Sequence, residues 1–292
     1  MNSPTSTLPE RYAVLGNPVA HSRSPFIHAE FARQTGQAIE YGRVLCPLDG
    51  FEPSVREFAA SREPGKGPAR GCNVTMPFKL RAAALASNVS ARAALAQAAN
   101  VLRFDAAGWS ADNTDGVGLL RDIERRADFR VAAARVLLIG AGGAAAGVLG
   151  PLIEARPRAV VVANRTPEHA VSLVERHRAL AAGKVTLRHS GLDDCGDHFD
   201  LVINSTSSSV QGIEAPVSAA VLRRDGLAID LMYGPAAQPF MKWARSHGAD
   251  ARDGLGMLVE QAAEAFFIWR GVRPDTLPVL QALRQQLAAA SP

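Results

Sequence analysis

The chain has 292 residues, 47% hydrophobic and 21% charged, a composition that fits a globular protein with room for one large or two ordinary domains. Lys and Arg outnumber Asp and Glu by 32 to 28 without forming a basic run, which argues against a nucleic-acid surface and suits anionic small molecules. Three scattered cysteines without a C-x-x-C pair, and seven histidines without an H-x-x-x-H pair, argue against a disulfide frame and a metal site and for a reducing, cytoplasmic setting.

The polar start, Met1 to Glu10, lacks the apolar core of a signal peptide. Arg11 to Gly16 reads as a first strand closed by the turn Gly16-Asn17-Pro18. Ser24 before Pro25 reads as the N-cap of a helix carrying Phe26, Ile27 and Phe31. With Ser22 and Arg23 beside it, the same helix start also suits a carboxylate, and the two readings are compatible. Glu40 to Leu45 predicts a second strand, and Phe51 to Ala60 a second helix. In Gly71-Cys-Asn-Val-Thr-Met-Pro-Phe-Lys79, a short strand over Cys72 to Thr75 puts Asn73 and Thr75 on one face. Pro77 then predicts a helix opening near Thr75 or Met76, with Lys79 one turn on, either as a solvated lysine or in a chemical role. Residues 80–99 are Ala-rich and predict a helix, and the chain returns to strand by Phe104.

Asp112-Asn-Thr-Asp-Gly116 is a polar cluster before an amphipathic helix, with Asp115 readable as its N-cap. In that helix Val117, Leu120, Ile123 and Ala127 line one face, and Arg121, Asp122, Arg125 and Arg126 fall elsewhere. Val136 to Ile139 is an apolar run of the kind buried on both faces of a sheet. It ends in Gly140-Ala141-Gly142-Gly143 and an Ala-rich helix. Gly140 suits the tight turn, Gly142 a close approach to a pyrophosphate, and Ala145 helix-on-strand packing. The next apolar run, Arg158 to Ala163, ends in Asn164-Arg165-Thr166. An NAD site places a carboxylate near there for the ribose 2′-hydroxyl; Arg165 instead suits a 2′-phosphate, which favours NADP(H) over a merely exposed arginine. Strands over Phe199 to Asn204 and Leu227 to Leu231 extend a doubly wound parallel sheet, with ligands expected near Ser205-Thr206-Ser207 and Met232-Tyr233. Glycines, Pro151 and Arg135 within residues 134–153 argue against a membrane span. Asp253 to Gly256 reads as a loop, and Met257 to Trp269 as an apolar helix. Gln261 on its apolar face must be tied to backbone or face a ligand. Pro278 to Ala290 predicts the last helix.

In order and spacing, Gly16-Asn-Pro-Val-Ala-His-Ser-Arg-Ser-Pro25, Asn73-Val-Thr-Met-Pro-Phe-Lys79, Asp112-Asn-Thr-Asp-Gly116, Gly140-Ala-Gly-Gly-Ala144, Asn164-Arg-Thr166 and Asp253-Gly-Leu-Gly-Met257 resemble the shikimate dehydrogenase family. The resemblance runs from about Tyr12 to about Leu287. It implies an α/β protein of two domains: an N-terminal substrate domain, residues 1–115, completed by C-terminal helices, residues 255–292, and a Rossmann-like NADP domain, residues 116–254. It also implies NADPH-dependent, reversible reduction of 3-dehydroshikimate to shikimate in aromatic amino-acid biosynthesis, by a monomer or homodimer. By likeness, Lys79 and Asp115 are the catalytic pair. Ser22 and Ser24 hold the substrate carboxylate, Asn73, Thr75, Asn100, Asp115 and Gln261 its hydroxyls, and Tyr233 reaches it from the nucleotide side. Cofactor contacts fall on Gly140, Ala141, Gly142, Gly143, Ala144, Asn164, Arg165, Thr166, His169, Thr206, Leu231 and Gly254. Val101, Gln97, Ala111, Ala145 and Ala146 depart from the family's usual residues, and His169 stands where a second basic residue is frequent. A paralogue using quinate as well, and a non-catalytic NADP-binding regulator, are the rival readings. Ser22, Ser24 and Arg165 weigh against the first, and Lys79 with Asp115 against the second.

Overall fold

In the computed structural model, which describes residues 8–206, 208 and 215–289, the chain divides into two compact units. One is the chain up to Thr114 with Ala262–Ala282; the other is Asp115–Gln261 with the chain from Leu283. Met1 to Thr7, Ser207 of the expected ligand loop and Ala290 of the last helix lie outside the described residues.

The first unit is built on a mixed sheet. Strands β1 (Glu10–Gly16), β2 (Ile39–Leu45) and β3 (Ala69–Val74) run parallel, joined by α1 (Ser24–Thr35) and α2 (Phe51–Ala60) as crossovers. The hairpin β5 (Val101–Asp105) and β6 (Gly108–Asp112) adds to β3 antiparallel, and the short β4 (Asn88–Val89) pairs with β6. Alternation along β1 decides the two layers. Ala13 and Leu15 join Phe51, Val55, Phe78 and Leu102 in one core, while Tyr12 packs with Val101, Ala265 and Trp269 in another. Burying each of these large side chains contributes about 1.5–3 kcal/mol.

Two local expectations give way here. The helix expected from Pro77 begins only at α3 (Lys79–Ala82), because Thr75 to Phe78 is a turn closed by Phe78 N–H donating to the Thr75 carbonyl at 3.1 Å. The Ala-rich helix over residues 80–99 is broken by β4 and resumes as α4 (Ala91–Ala96). Ser90 causes the break: its hydroxyl accepts from Ala93 N–H at 3.2 Å and donates to Asp112 Oδ1 at 2.6 Å. That capping and tertiary bond outweighs alanine's helix propensity.

The second unit is a six-stranded sheet, parallel throughout, in the order β12-β11-β10-β7-β8-β9. Its strands are β7 (Arg135–Ile139), β8 (Ala159–Ala163), β9 (Thr186–Ser190), β10 (Phe199–Asn204), β11 (Leu222–Asp230) and β12 (Asp250–Asp253). The helices are α5 (Asp115–Arg126), α6 (Gly143–Glu154), α7 (Pro167–Ala181), α8 (Gln238–Ser246), α9 (Leu255–Arg270) and α10 (Leu277–Ala289), the division between units falling within the last two. The order reverses between β7 and β10, the switch point where doubly wound sheets take their ligands. Asp253 is not in a loop but ends β12, an edge strand. The face of α5 also differs from expectation. Asp115, Gly116, Gly118, Leu119, Asp122 and Ile123 are its buried residues, whereas Val117 and Leu120 are only half-buried. Asp122 is fully buried because Arg252 reaches it at 3.5 Å, and burial pushes its carboxyl up.

Candidate functional site

One edge of the first unit's sheet collects the residues expected to bind substrate. β1 and β3 are parallel and in register at Leu15 and Val74, so the loops carrying Ser22 and Thr75 leave the sheet side by side. Antiparallel β5 starts opposite Asn73, which brings Asn100 to the same edge, and Val101 opposite Asp112 brings Thr114 there as well. Lys79, half-buried, opens α3 just beyond; its carbonyl accepts from Ala99 N–H at 2.9 Å. Asp115, buried, is the next residue after Thr114 and stands in the first turn of α5 rather than at its cap.

Ser24 is likewise inside its helix. Arg23 already has helical dihedrals, φ −87° and ψ −5°, so it takes the cap position without a side-chain cap bond and Ser24 becomes the first helical residue. Its hydroxyl is thereby released for other partners. Ser22 Oγ donates to Ser24 Oγ at 3.2 Å. Tyr41 O–H donates to Asn73 Oδ1 at 2.6 Å, and Asn73 Nδ2 donates to the Asn100 carbonyl at 3.1 Å. Asn100 Nδ2 donates to Thr114 Oγ1 at 2.9 Å, while its Oδ1 accepts from Thr114 N–H at 2.8 Å. Behind this row, His28 is fully buried and stacked on Tyr41, with ring centroids 4.2 Å apart. Burial drives its imidazole down to about 3 and drives the Tyr41 phenol well above its ordinary value. Burial alone would raise the Asp112 carboxyl, but Arg92, Ser90 and Asn113 N–H hold it below its usual range. The Arg92 fork closes on it at 2.6 and 2.8 Å.

In the second unit the carboxyl ends of the parallel strands bring the expected cofactor residues to one sheet edge: Gly140 to Ala144 after β7, Asn164 to Thr166 after β8, Thr206 after β10 and Leu231 after β11. Gly140 has φ +106°, and a Cβ there would lie 2.5 Å from Ser205 Oγ. Gly140→Ala is therefore expected to lower stability by roughly 1–3 kcal/mol, read from the urea-unfolding midpoint; an unchanged midpoint would show that the turn tolerates a side chain. Gly142 caps α6 without a side-chain bond, and a Cβ on it would meet nothing within 4 Å. The turn thus leaves open space in front of the first-turn N–H groups of a helix, as a pyrophosphate requires. Beyond β8, Asn164 Nδ2 donates to the Thr166 carbonyl at 2.8 Å, and Arg165 and His169 are exposed. These residues fit a 2′-phosphorylated dinucleotide: a glycine cradle, a guanidinium, and no carboxylate at the end of β8.

Sequence reasoning missed the braces behind these residues. Asn204 Nδ2 donates to Asp230 Oδ2 at 3.1 Å, and Asp230 Oδ1 accepts from Met232 N–H at 2.8 Å, so a buried pair ties β10 to the chain entering Tyr233. Asp253 Oδ2 accepts from Gly234 N–H at 3.1 Å, while the Arg284 fork grips the same carboxylate at 2.9 and 2.6 Å. Gly254 N–H donates to the Met232 carbonyl at 2.8 Å, fixing Gly254 beside the same loop. Polar residues closing otherwise apolar strand runs, as Asn204 and Asp230 do, were the available signal. Gln261, in α9, is buried and its Nε2 donates to the Leu258 carbonyl at 2.8 Å, which bears out the backbone-tied alternative for that nitrogen. Among the described residues no cluster of His, Cys, Asp and Glu is suited to a metal, and no helix is long and apolar enough to cross a membrane.

Comparison with known proteins completes the assignment. Residues 14–102 match the shikimate dehydrogenase substrate binding domain, residues 123–233 the shikimate/quinate 5-dehydrogenase domain, and residues 254–284 the shikimate 5′-dehydrogenase C-terminal domain. The shikimate dehydrogenase (NADP(+)) of Methylibium petroleiphilum is 62% identical over 282 residues, covering 96% of each chain. The structure of an Ael1 enzyme from Pseudomonas putida is 44% identical, with a TM-score of 0.80 over 94% of this chain and 98% of that one. Shikimate 5-dehydrogenase from Thermus thermophilus, solved in complex with NADP(H) and shikimate, is 31% identical with a TM-score of 0.81, covering 94% of this chain and 99% of that one. Motifs, sheet topology and near-full-length identity agree, and the chain belongs to the shikimate dehydrogenase family.

Proposed function

We infer that this chain is an NADP-dependent shikimate dehydrogenase, reducing 3-dehydroshikimate to shikimate, reversibly, in aromatic amino-acid biosynthesis. The observation that carries the substrate side is the single sheet edge holding Ser22, Ser24, Asn73, Thr75 and Asn100 next to Lys79. In this reading residues 1–115 and 255–292 serve the substrate and residues 116–254 the cofactor, in a cytoplasmic enzyme working as a monomer or homodimer.

Each residue type suits its part. Ser22 and Ser24 offer hydroxyls to the substrate carboxylate beside the N-terminus of α1, where helix N–H groups favour negative charge. Asn73, Thr75, Asn100 and Gln261 match a ring of hydroxyls, since carboxamides and hydroxyls both donate and accept. Tyr233 meets the substrate from the nucleotide side. Gly140 to Ala144 would hold the cofactor pyrophosphate, and Asn164, Arg165, Thr166 and His169 its 2′-phosphate, with Thr206, Leu231 and Gly254 lining the remainder. Bound there, NADPH supplies the hydride that the substrate carbon accepts. Lys79 supplies the proton to the carbonyl oxygen, which becomes the shikimate hydroxyl, and Asp115 orients that hydroxyl and the ammonium.

The test is a rate comparison by absorbance at 340 nm, offering shikimate or quinate with NADP+ or NAD+. Shikimate with NADP+ should be the fastest pair. Arg165→Gln should raise KM for NADP+ roughly 10–100-fold while leaving KM for NAD+ within about twofold. Absence of shikimate turnover would remove the reaction assigned here; equal kcat/KM with NAD+ and NADP+ in the unaltered enzyme would remove only the role of Arg165.

A further inference from the structure

We propose that Tyr41, on β2, is a positioning residue for the substrate: its phenol fixes the Asn73 carboxamide and, through it, the row that runs on to Asn100 and Thr114. The proposal rests on the function inferred above. It comes from following the hydrogen-bond donors through the first unit. Tyr41 has one O–H, and it is committed to Asn73 Oδ1 at 2.6 Å. Asn73 Nδ2 passes one hydrogen to the Asn100 carbonyl at 3.1 Å. Tyr41, Asn73, Asn100 and Thr114 thus form one continuous row within a single unit, with the phenol at its head.

The bond to Oδ1 has a directional consequence. Oδ1 is held on the phenol side and one Nδ2 hydrogen on Asn100, so the plane of the Asn73 carboxamide is fixed. The ring that carries the phenol is itself immobilised, lying flat on the buried His28 with an interplanar angle of 6°. Asn73 is 6% exposed, so deleting the hydroxyl leaves its Oδ1 short of a partner where water has little access. Tyr41 meets the ligand through Asn73 rather than directly, which makes it a positioning group and not a catalytic one.

Tyr41→Phe keeps the ring and removes only the hydroxyl. Tyr12→Phe is its control: Tyr12 is Tyr41's register partner on β1, its hydroxyl donates to Glu10 at 3.4 Å, and it lies outside the row. Tyr41→Phe should raise both KM and the calorimetric Kd for shikimate roughly 10–30-fold, with kcat and the KM for NADP+ within about threefold. Tyr12→Phe should leave the shikimate constants unchanged. In the unaltered protein, whose tyrosines number only three, 13Cζ-tyrosine spectra should show the Tyr41 signal shifting on addition of shikimate. Unchanged shikimate constants in Tyr41→Phe, equal losses in the two variants, or an unmoved Tyr41 signal would each overturn the proposal while leaving the assigned reaction standing. Failure of the unaltered enzyme to bind or turn over shikimate would instead overturn the reaction, and this proposal with it.

Discussion

Replacing Lys79 with methionine is expected to lower kcat by roughly 10²–10⁴-fold, the usual contribution of a positioned general acid or base, while KM for shikimate stays within about threefold. Methionine keeps most of the half-buried aliphatic stem and deletes the ammonium, so the change isolates proton transfer from packing. Lys79 is anchored through its backbone, whose carbonyl accepts from Ala99 N–H at 2.9 Å, a bond that the variant retains. Its thermal midpoint should therefore match that of the unaltered enzyme. Loss confined to kcat with binding intact is the signature of a group acting on the transition state rather than on ground-state affinity. A variant turning over within about tenfold of the unaltered rate would show that the proton comes from elsewhere.

Acid should unfold this protein partly through His28. The imidazole is fully buried among Tyr41, Phe31, Phe266 and Trp269, and neither ring nitrogen has a hydrogen-bond partner among the described residues. Burial holds it down at about 3, against an unfolded value near 6.5. Between those two values the unfolded chain binds a proton that the folded chain refuses. The slope of unfolding free energy with pH is therefore positive: this contribution is complete above pH 6.5 and is lost as pH falls towards 3. The loss amounts to about 1.4 kcal/mol per pH unit, or about 3 kcal/mol by pH 4. His28→Phe fills the same aromatic box and cannot titrate. Urea-unfolding curves at pH 7 and pH 4 should show the unaltered protein losing about 3 kcal/mol more than the variant; parallel losses would mean that His28 does not carry the acid sensitivity.

The parts of the fold legible in sequence were those written in local chemistry. Val136 to Ile139 running into three glycines in four positions announces strand, turn and helix because few other structures tolerate that composition. The edge strands β9 and β12 carry Arg188, His189, Asp250 and Arg252 among few apolar residues, so no hydrophobic run marks them. The break in the Ala-rich segment was hidden because it depends on Ser90 meeting Asp112, a bond spanning 22 residues. Asp122 looked like a surface carboxylate because its partner, Arg252, lies 130 residues away. The candidate site divides in the same way. Its ligand-facing residues sit in recognisable motifs, whereas Tyr41 acts through an asparagine 32 residues distant and looks like an ordinary strand tyrosine. What remained illegible was the set of side chains whose role is to hold other side chains.

The first unit is assembled from two stretches of chain, and that has a consequence for biosynthesis. Trp269, which covers Tyr12 and donates to the Leu102 carbonyl across 167 residues, emerges from the ribosome long after β1 and β5. Arg270 reaches back 260 residues to Glu10. The nascent N-terminal sheet must wait, with its aromatic face uncovered, while the whole nucleotide-type sheet is synthesised and free to fold as an inserted body. Chaperone dependence should therefore centre on that interval, with the exposed strands around Tyr12 and Tyr41 as the surface to be shielded.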